Sequence, residues 1–172
     1  MSEYCVVALD ARRARFFSLR DGRVPRNRSG PELREEEDLV NPESRMKDRE
    51  LFSDNRTGSN RCGGGPTRRF DDHRARHREN TCRQFARRVI GQCRKMEDRL
   101  DHPEVIVSAS AMMLGRLRKE LAAIPGMRNW KVMRGDLVTQ PMKNIQDLLA
   151  RKGHIPACAP PAGTATNRSS GL

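Results

Sequence analysis

One apolar stripe constrains this chain more than any other feature. Cys82, Phe85, Ala86, Val89, Ile90, Cys93, Met96 and Leu100 recur at three- and four-residue steps, the spacing of a single helix face. The pattern predicts a long helix from about Asp72 to Asp101. Arg76, Arg83, Arg87 and Arg94 follow one another at steps of seven, four and seven. At about 100° per residue they fall on one line of the same helix, away from the stripe. One face packs, and another presents a row of guanidinium groups.

The segment leading into this helix reads Arg61-Cys62-Gly63-Gly64-Gly65-Pro66-Thr67-Arg68-Arg69-Phe70. Three glycines without Cβ atoms let backbone N–H groups come close to a ligand. A helix N-terminus adds unpaired donors and a partial positive charge. Thirteen Lys/Arg stand against five Asp/Glu between Arg56 and Arg99, so this quarter of the chain holds most of a net charge of +12. The combination suits a phosphate-bearing partner. A sequence pI near 10.5 points the same way, to nucleic acid or another polyanion. Aromatic residues make up only 4%, too few for a platform that stacks single-stranded bases. Contacts to backbone and shape are expected instead. The Gly- and Arg-rich stretch 53–71 has no apolar periodicity and is expected to be a flexible basic loop.

Taken in order, Tyr4 to Leu9 is an almost unbroken apolar run, as in a central strand buried on both faces. Ala14 to Arg20 reads as its antiparallel neighbour, with Asp21-Gly22 as a turn. Glu32 to Val40 is acidic and fits an edge strand, where charge discourages pairing with another edge. Asn41-Pro42-Glu43 opens a helical turn, with Asn as cap and Pro first. After the long helix, Glu104 to Ala109 is a short buried strand. Ser110 caps a helix over Ala111 to Ala123, with Met113, Leu114, Leu117 and Leu121 inward. Trp130 to Met133 is a further strand. Thr139 with Pro141 starts a last helix whose inward residues are Met142, Ile145, Leu148 and Leu149, and Gly153 stops it. The order implies a single α/β domain over 1–156: antiparallel N-terminal strands, then αβαβα, giving a mixed sheet with helices on its faces. The Pro-, Gly-, Ser- and Thr-rich residues 157–172 are expected to be a disordered tail. The glycine cluster does not follow the first strand and lacks GxGxxG spacing, which argues against a dinucleotide-binding domain.

Chemistry is sparse. Cys62, His73, His77 and Cys82 include two histidines four apart, but the spacing fits no common zinc finger. Asp10 and Asp136 lie at strand ends, where carboxylates can hold Mg²⁺ in a nuclease; such positions also serve as turns and caps. Cys5, Cys82 and Cys93 fall in apolar patterns and read as reduced core residues, in keeping with a cytoplasmic protein. The N-terminus has no basic region or apolar run of signal-peptide length. No stretch approaches the roughly 20 apolar residues of a membrane span. No cofactor, metal or catalytic residue is expected.

The opening Val6-Val7-Ala8-Leu9-Asp10-Ala11-Arg12-Arg13-Ala14-Arg15-Phe16-Phe17 resembles that of the bacterial host attachment protein family. Leu39-Val40-Asn41-Pro42-Glu43, Val105-Ile106-Val107 and Met113-Leu114-Gly115-Arg116-Leu117 continue the resemblance, which spans about residues 4 to 152. That family is similar to the middle domain of archaeal and eukaryotic class I peptide release factors and of Pelota. The resemblance implies an RNase H-like α/β fold and a non-enzymatic factor of the ribosome or structured RNA. Arg61, Gly63, Gly64, Gly65, Arg68 and Arg69, with the row Arg76, Arg83, Arg87 and Arg94, would then meet rRNA or tRNA phosphates. Gly65 stands where the release factors' motif places Gln, so peptide release is not expected. The alternatives are a host-attachment protein acting at the cell envelope and, behind it, a metal-dependent nuclease.

Overall fold

A computed structural model of the protein describes residues 4–20, 30–44, 68–124 and 130–157, with side chains of the long helix described from residue 75 onward. The Asp21-Gly22 turn, the glycine loop with Arg61, Gly63, Gly64 and Gly65, and residues 158–172 of the tail lie outside these.

The elements in chain order are β1 (Tyr4–Leu9), β2 (Arg13–Arg20), β3 (Glu32–Val40), a 3-10 turn (Pro42–Ser44), α1 (Arg68–Arg99), β4 (Glu104–Ala109), α2 (Ala111–Ala122), β5 (Lys131–Arg134) and α3 (Met142–Arg151). The strands form one five-stranded sheet in the order β3-β2-β1-β4-β5. β1 pairs antiparallel with β2 and parallel with β4, from Tyr4 opposite Glu104 to Leu9 opposite Ala109. β4 pairs parallel with β5. This is the α/β class with a mixed sheet that the sequence predicts.

Both sheet faces are covered, so β1 and β4 need apolar side chains on both sides. Cys5, Val7 and Leu9 of β1 pack with Phe16, Val105 and Val107 against Phe85, Val89, Ile90 and Met96 of α1 and Met113 and Leu117 of α2. Val6, Ala8, Phe17, Leu19, Leu33 and Ile106 face Ile145 and Leu149 of α3, with Leu137, Val138 and Ile155 closing that layer. The thiol of Cys5 lies 3.9 Å from the Met96 sulfur. Burial pushes the Cys5 thiol up to about 12 and raises that of Cys93 well above its usual value.

α1 begins at Arg68, four residues ahead of the predicted start, so Arg68 and Arg69 belong to its first turn and not to the loop. The helix ends two residues before Asp101. Asp101 and His102 both take positive φ (56° and 58°), and the His102 N–H returns to the Glu97 carbonyl at 3.0 Å. Neither is glycine, although Asp and His are among the residues that tolerate this region.

Smaller differences have local causes. Asn41 does not cap the 3-10 turn; its side-chain amide donates to the Ala11 carbonyl at 3.1 Å while its N–H bonds Arg12 O at 2.8 Å, tying β3 to the β1–β2 turn. Ser110 caps α2 as expected, accepting from the Met113 N–H at 3.5 Å. Glu120, however, is the buried residue at the end of that helix, and Leu121 is only half-buried. Pro141, not Thr139, is the residue before α3, and no side chain caps it. Gly153 stops α3 with φ +69°, and the next N–H, of His154, bonds Leu149 O at 2.9 Å.

The edge strand β3 is managed by its neighbours. Its pairing with β2 shifts between Phe16 and Phe17, which oppose Glu37 and Glu35, leaving Glu36 as the extra residue of a bulge. Glu36 and Glu37 thereby both reach the α1 side. Glu36 accepts from Ser18 Oγ at 2.6 Å, from Arg20 at 3.2 Å and from Arg99 of α1 at 3.3 Å; Glu37 accepts from Gln92 of α1. On the other face Gln146 of α3 accepts from Leu33 N–H at 3.1 Å and donates to Pro31 O at 2.7 Å.

Candidate functional site

The distribution of charge follows from these contacts. Three carboxylates of β3, those of Glu35, Glu36 and Asp38, are paired with arginines of their own sheet. Arg15 grips Glu35 with two bonds of 2.8 and 2.7 Å, and Arg13 pairs with Asp38 at 2.8 Å. Arg15 holds the Glu35 carboxyl below its usual value by hydrogen bonding, and Ser18 does the same for Glu36 with Arg20 and Arg99 contributing. The helical layer of α1 and α2 keeps an excess of exposed cations. On α1, Arg83, Arg87, Arg88, Arg94 and Lys95 are exposed; on α2, Arg118 and Lys119 are.

The arginine row does not lie opposite the packed stripe. Ile90 is buried at 2% exposure and sits only about 40° from the row at 100° per residue. The row therefore runs along the seam where α2 meets α1. Two of its members use that position. Arg83 Nε and Arg87 Nε each donate at 2.6 Å to one oxygen of Glu120, whose residue is 8% exposed. Spacing explains the meeting. Arg83 and Arg87 are one turn apart on α1, and Glu120 follows Leu117 by three residues on the packed face of α2. Hydrogen bonds from Arg87 and then Arg83 hold the Glu120 carboxyl below its usual value, against the opposing effect of burial. A carboxylate standing at a stripe position is the sequence signal for this site, and periodicity alone passes over it in favour of Leu121.

Around this fork the two helices leave a groove of about 320 Å³. Glu79, Arg83 and Arg87 line it from α1, and Arg116, Lys119 and Glu120 from α2. The Nη1 of Arg116 is shielded from solvent and has no hydrogen-bond partner among the described residues. Each arginine of the fork spends its Nε on Glu120 yet remains more than half exposed, at 57% and 58% of the side chain.

Of the other expected site residues, Arg76 and Arg94 are exposed on α1. Arg68 and Arg69 are in its first turn with side chains outside the described residues, as are Arg61 and the three glycines. The zinc reading rests on Cys62, His73, His77 and Cys82, and the side chains of the first two also lie outside them. Cys82 is half-buried against the core, and no group of three His, Cys, Asp or Glu able to hold a metal occurs among the described residues. Asp10 acts as a structural cap. Its Oδ1 accepts from the backbone N–H groups of Arg12 and Arg13, each at 2.6 Å, closing the β1–β2 turn. Asp10→Ala is expected to lower stability by about 1–2 kcal/mol, because two backbone N–H groups lose their acceptor, and Asp10→Asn, which keeps an acceptor, by less. Denaturant titration of both variants checks this. Equal stability for all three proteins, with loss of Mg²⁺-dependent RNA cleavage in the variants, would favour the nuclease reading.

No described helix is long and apolar enough to cross a membrane. A search of curated proteins finds no significant match. The family described as "Protein required for attachment to host cells" matches residues 5–149, from the second residue of β1 to the last turn of α3. The match takes in all of the sheet but Tyr4, together with both helices of the basic seam, and the chain belongs to this host-attachment family.

Proposed function

We propose that the protein is a non-enzymatic, cytoplasmic factor that binds the phosphate backbone of structured RNA, on the ribosome or apart from it, through the solvent face of α1. The carrying observation is the separation of charge. Glu35, Glu36 and Asp38 of β3 are held by arginines of the sheet and the end of α1, while Arg88, Arg94 and Lys95 are exposed on the long helix. Exposed cations of this kind bind by releasing counterions and read no sequence. The glycine-rich segment that feeds α1 supports a phosphate-bearing partner, and the resemblance expected between this family and release-factor middle domains would make that partner RNA.

The test is ribosome co-sedimentation and binding to an RNA hairpin at two salt concentrations, with the native chain and with Arg88, Arg94 and Lys95 all replaced by Gln. These side chains are exposed, so the variant should fold. Affinity should fall, and the slope of log K against log salt should flatten by about 0.9 for each phosphate no longer neutralised. Unchanged affinity and slope would remove this face from any RNA interface. The family's description favours a second reading, an interaction protein that promotes attachment to host cells. Absence of RNA binding, together with salt-sensitive binding of the native chain to host cells that the triple variant loses, would favour that reading.

A further inference from the structure

We infer that the groove between α1 and α2 is a binding site for a small phosphorylated polyol, of the sugar-phosphate class, with its phosphate on Arg116 and Lys119. Four cations, Arg83, Arg87, Arg116 and Lys119, face two carboxylates, Glu79 and Glu120. The groove thus has an excess of two positive charges, which matches a phosphate monoester near neutral pH. Arg116 lines the groove and is half-buried there, and its Nη1 makes no hydrogen bond to any described residue, so its guanidinium is not committed to an acceptor within the fold. Glu120 fixes the Arg83 and Arg87 side chains through their Nε atoms. Their terminal amino groups are thereby held in place before a ligand arrives, which reduces the ordering cost of binding.

Size and lining narrow the ligand. The groove's 320 Å³ is at the small end for metabolite sites and well above the need of a lone phosphate ion. Its lining contains no aromatic ring among the described residues, so a nucleobase would have nothing to stack on. The carboxylate of Glu79 is instead an acceptor for hydroxyl groups. A compact polar body bearing one phosphate satisfies the charge, the donors and the volume together.

The groove and the RNA face use different residues, so each can fail without the other. Calorimetric titration of the full chain with ribose 5-phosphate, inorganic phosphate and ribose decides the matter. Ribose 5-phosphate should bind, inorganic phosphate more weakly, and ribose not at all. Arg116→Met should weaken ribose 5-phosphate binding about tenfold or more, the worth of one charged hydrogen bond. Lys119→Gln, at an exposed position that does not challenge folding, should weaken it several-fold. No binding of ribose 5-phosphate, or equal binding by both variants, overturns the inference. So does an RNA hairpin that needs Arg116 while ribose 5-phosphate does not bind, since the cations would then belong to the RNA face.

Discussion

Phe16→Ala is expected to destabilise the protein by about 3–5 kcal/mol, the range for an aromatic ring deleted from a packed core. Phe16 is fully buried on β2, between β1 and the bulged edge strand, and its ring belongs to the layer that seats α1 and α2. That layer also contains Phe85, Met96 and Met113, so neighbouring side chains can collapse only partly into the space. At roughly 2–4 °C per kcal/mol for a domain of this size, the midpoint of thermal unfolding should fall by about 10 °C. Calorimetry of the two proteins measures it. A drop of only a degree or two would mean that the helical layer does not rest on this ring.

Arg15→Met should cost about 3 kcal/mol at neutral pH. Arg15 is a charged side chain only 12% exposed, and it joins three parts of the fold. Its fork holds Glu35 of β3, its Nη1 donates to Val138 O at 3.0 Å and Gln140 O at 2.8 Å ahead of α3, and its guanidinium lies 5.0 Å over the Phe17 ring. Methionine keeps much of the apolar stem but strands the carbonyls and the carboxylate, and a hydrogen bond to a charged group is worth about 1.5–3 kcal/mol. The loss should also depend on pH. The folded carboxyl of Glu35 titrates below its unfolded value of 4.5, so its pairing contributes fully above that value and is lost as pH falls through the lower, folded one. The difference between native and variant stability should therefore narrow on acidification below about pH 4.5. A difference constant from pH 7 to 3 would assign the effect to the backbone carbonyls alone.

Both residues show what a sequence discloses. The strands Tyr4–Leu9 and Glu104–Ala109 and the packed face of α1 are legible because burial on a regular element leaves a periodic trace. Arg15 leaves none. Its partners lie 20 to 125 residues away, and an arginine in an antiparallel strand reads as an outward residue. Glu120 is hidden for the same reason, since its arginines sit on another helix. The start of α1 at Arg68 is illegible because its first turns carry charge and no stripe. The bulge at Glu36 follows from how two strands share a register with their helices, which no single strand records. The seam between α1 and α2 is therefore half visible: its cations stand in a row in the sequence, while the carboxylate that gathers two of them does not.

The sealed thiols of Cys5 and Cys93 give the molecule a built-in clock. Thiolate is the reactive form, and in the native state burial suppresses it at both positions. A reagent can reach them only when the sheet and α1 part. Their rate of alkylation, followed site by site by mass spectrometry, then counts openings of the whole domain. Ligands that grip the helical layer should slow that count without touching either sulfur.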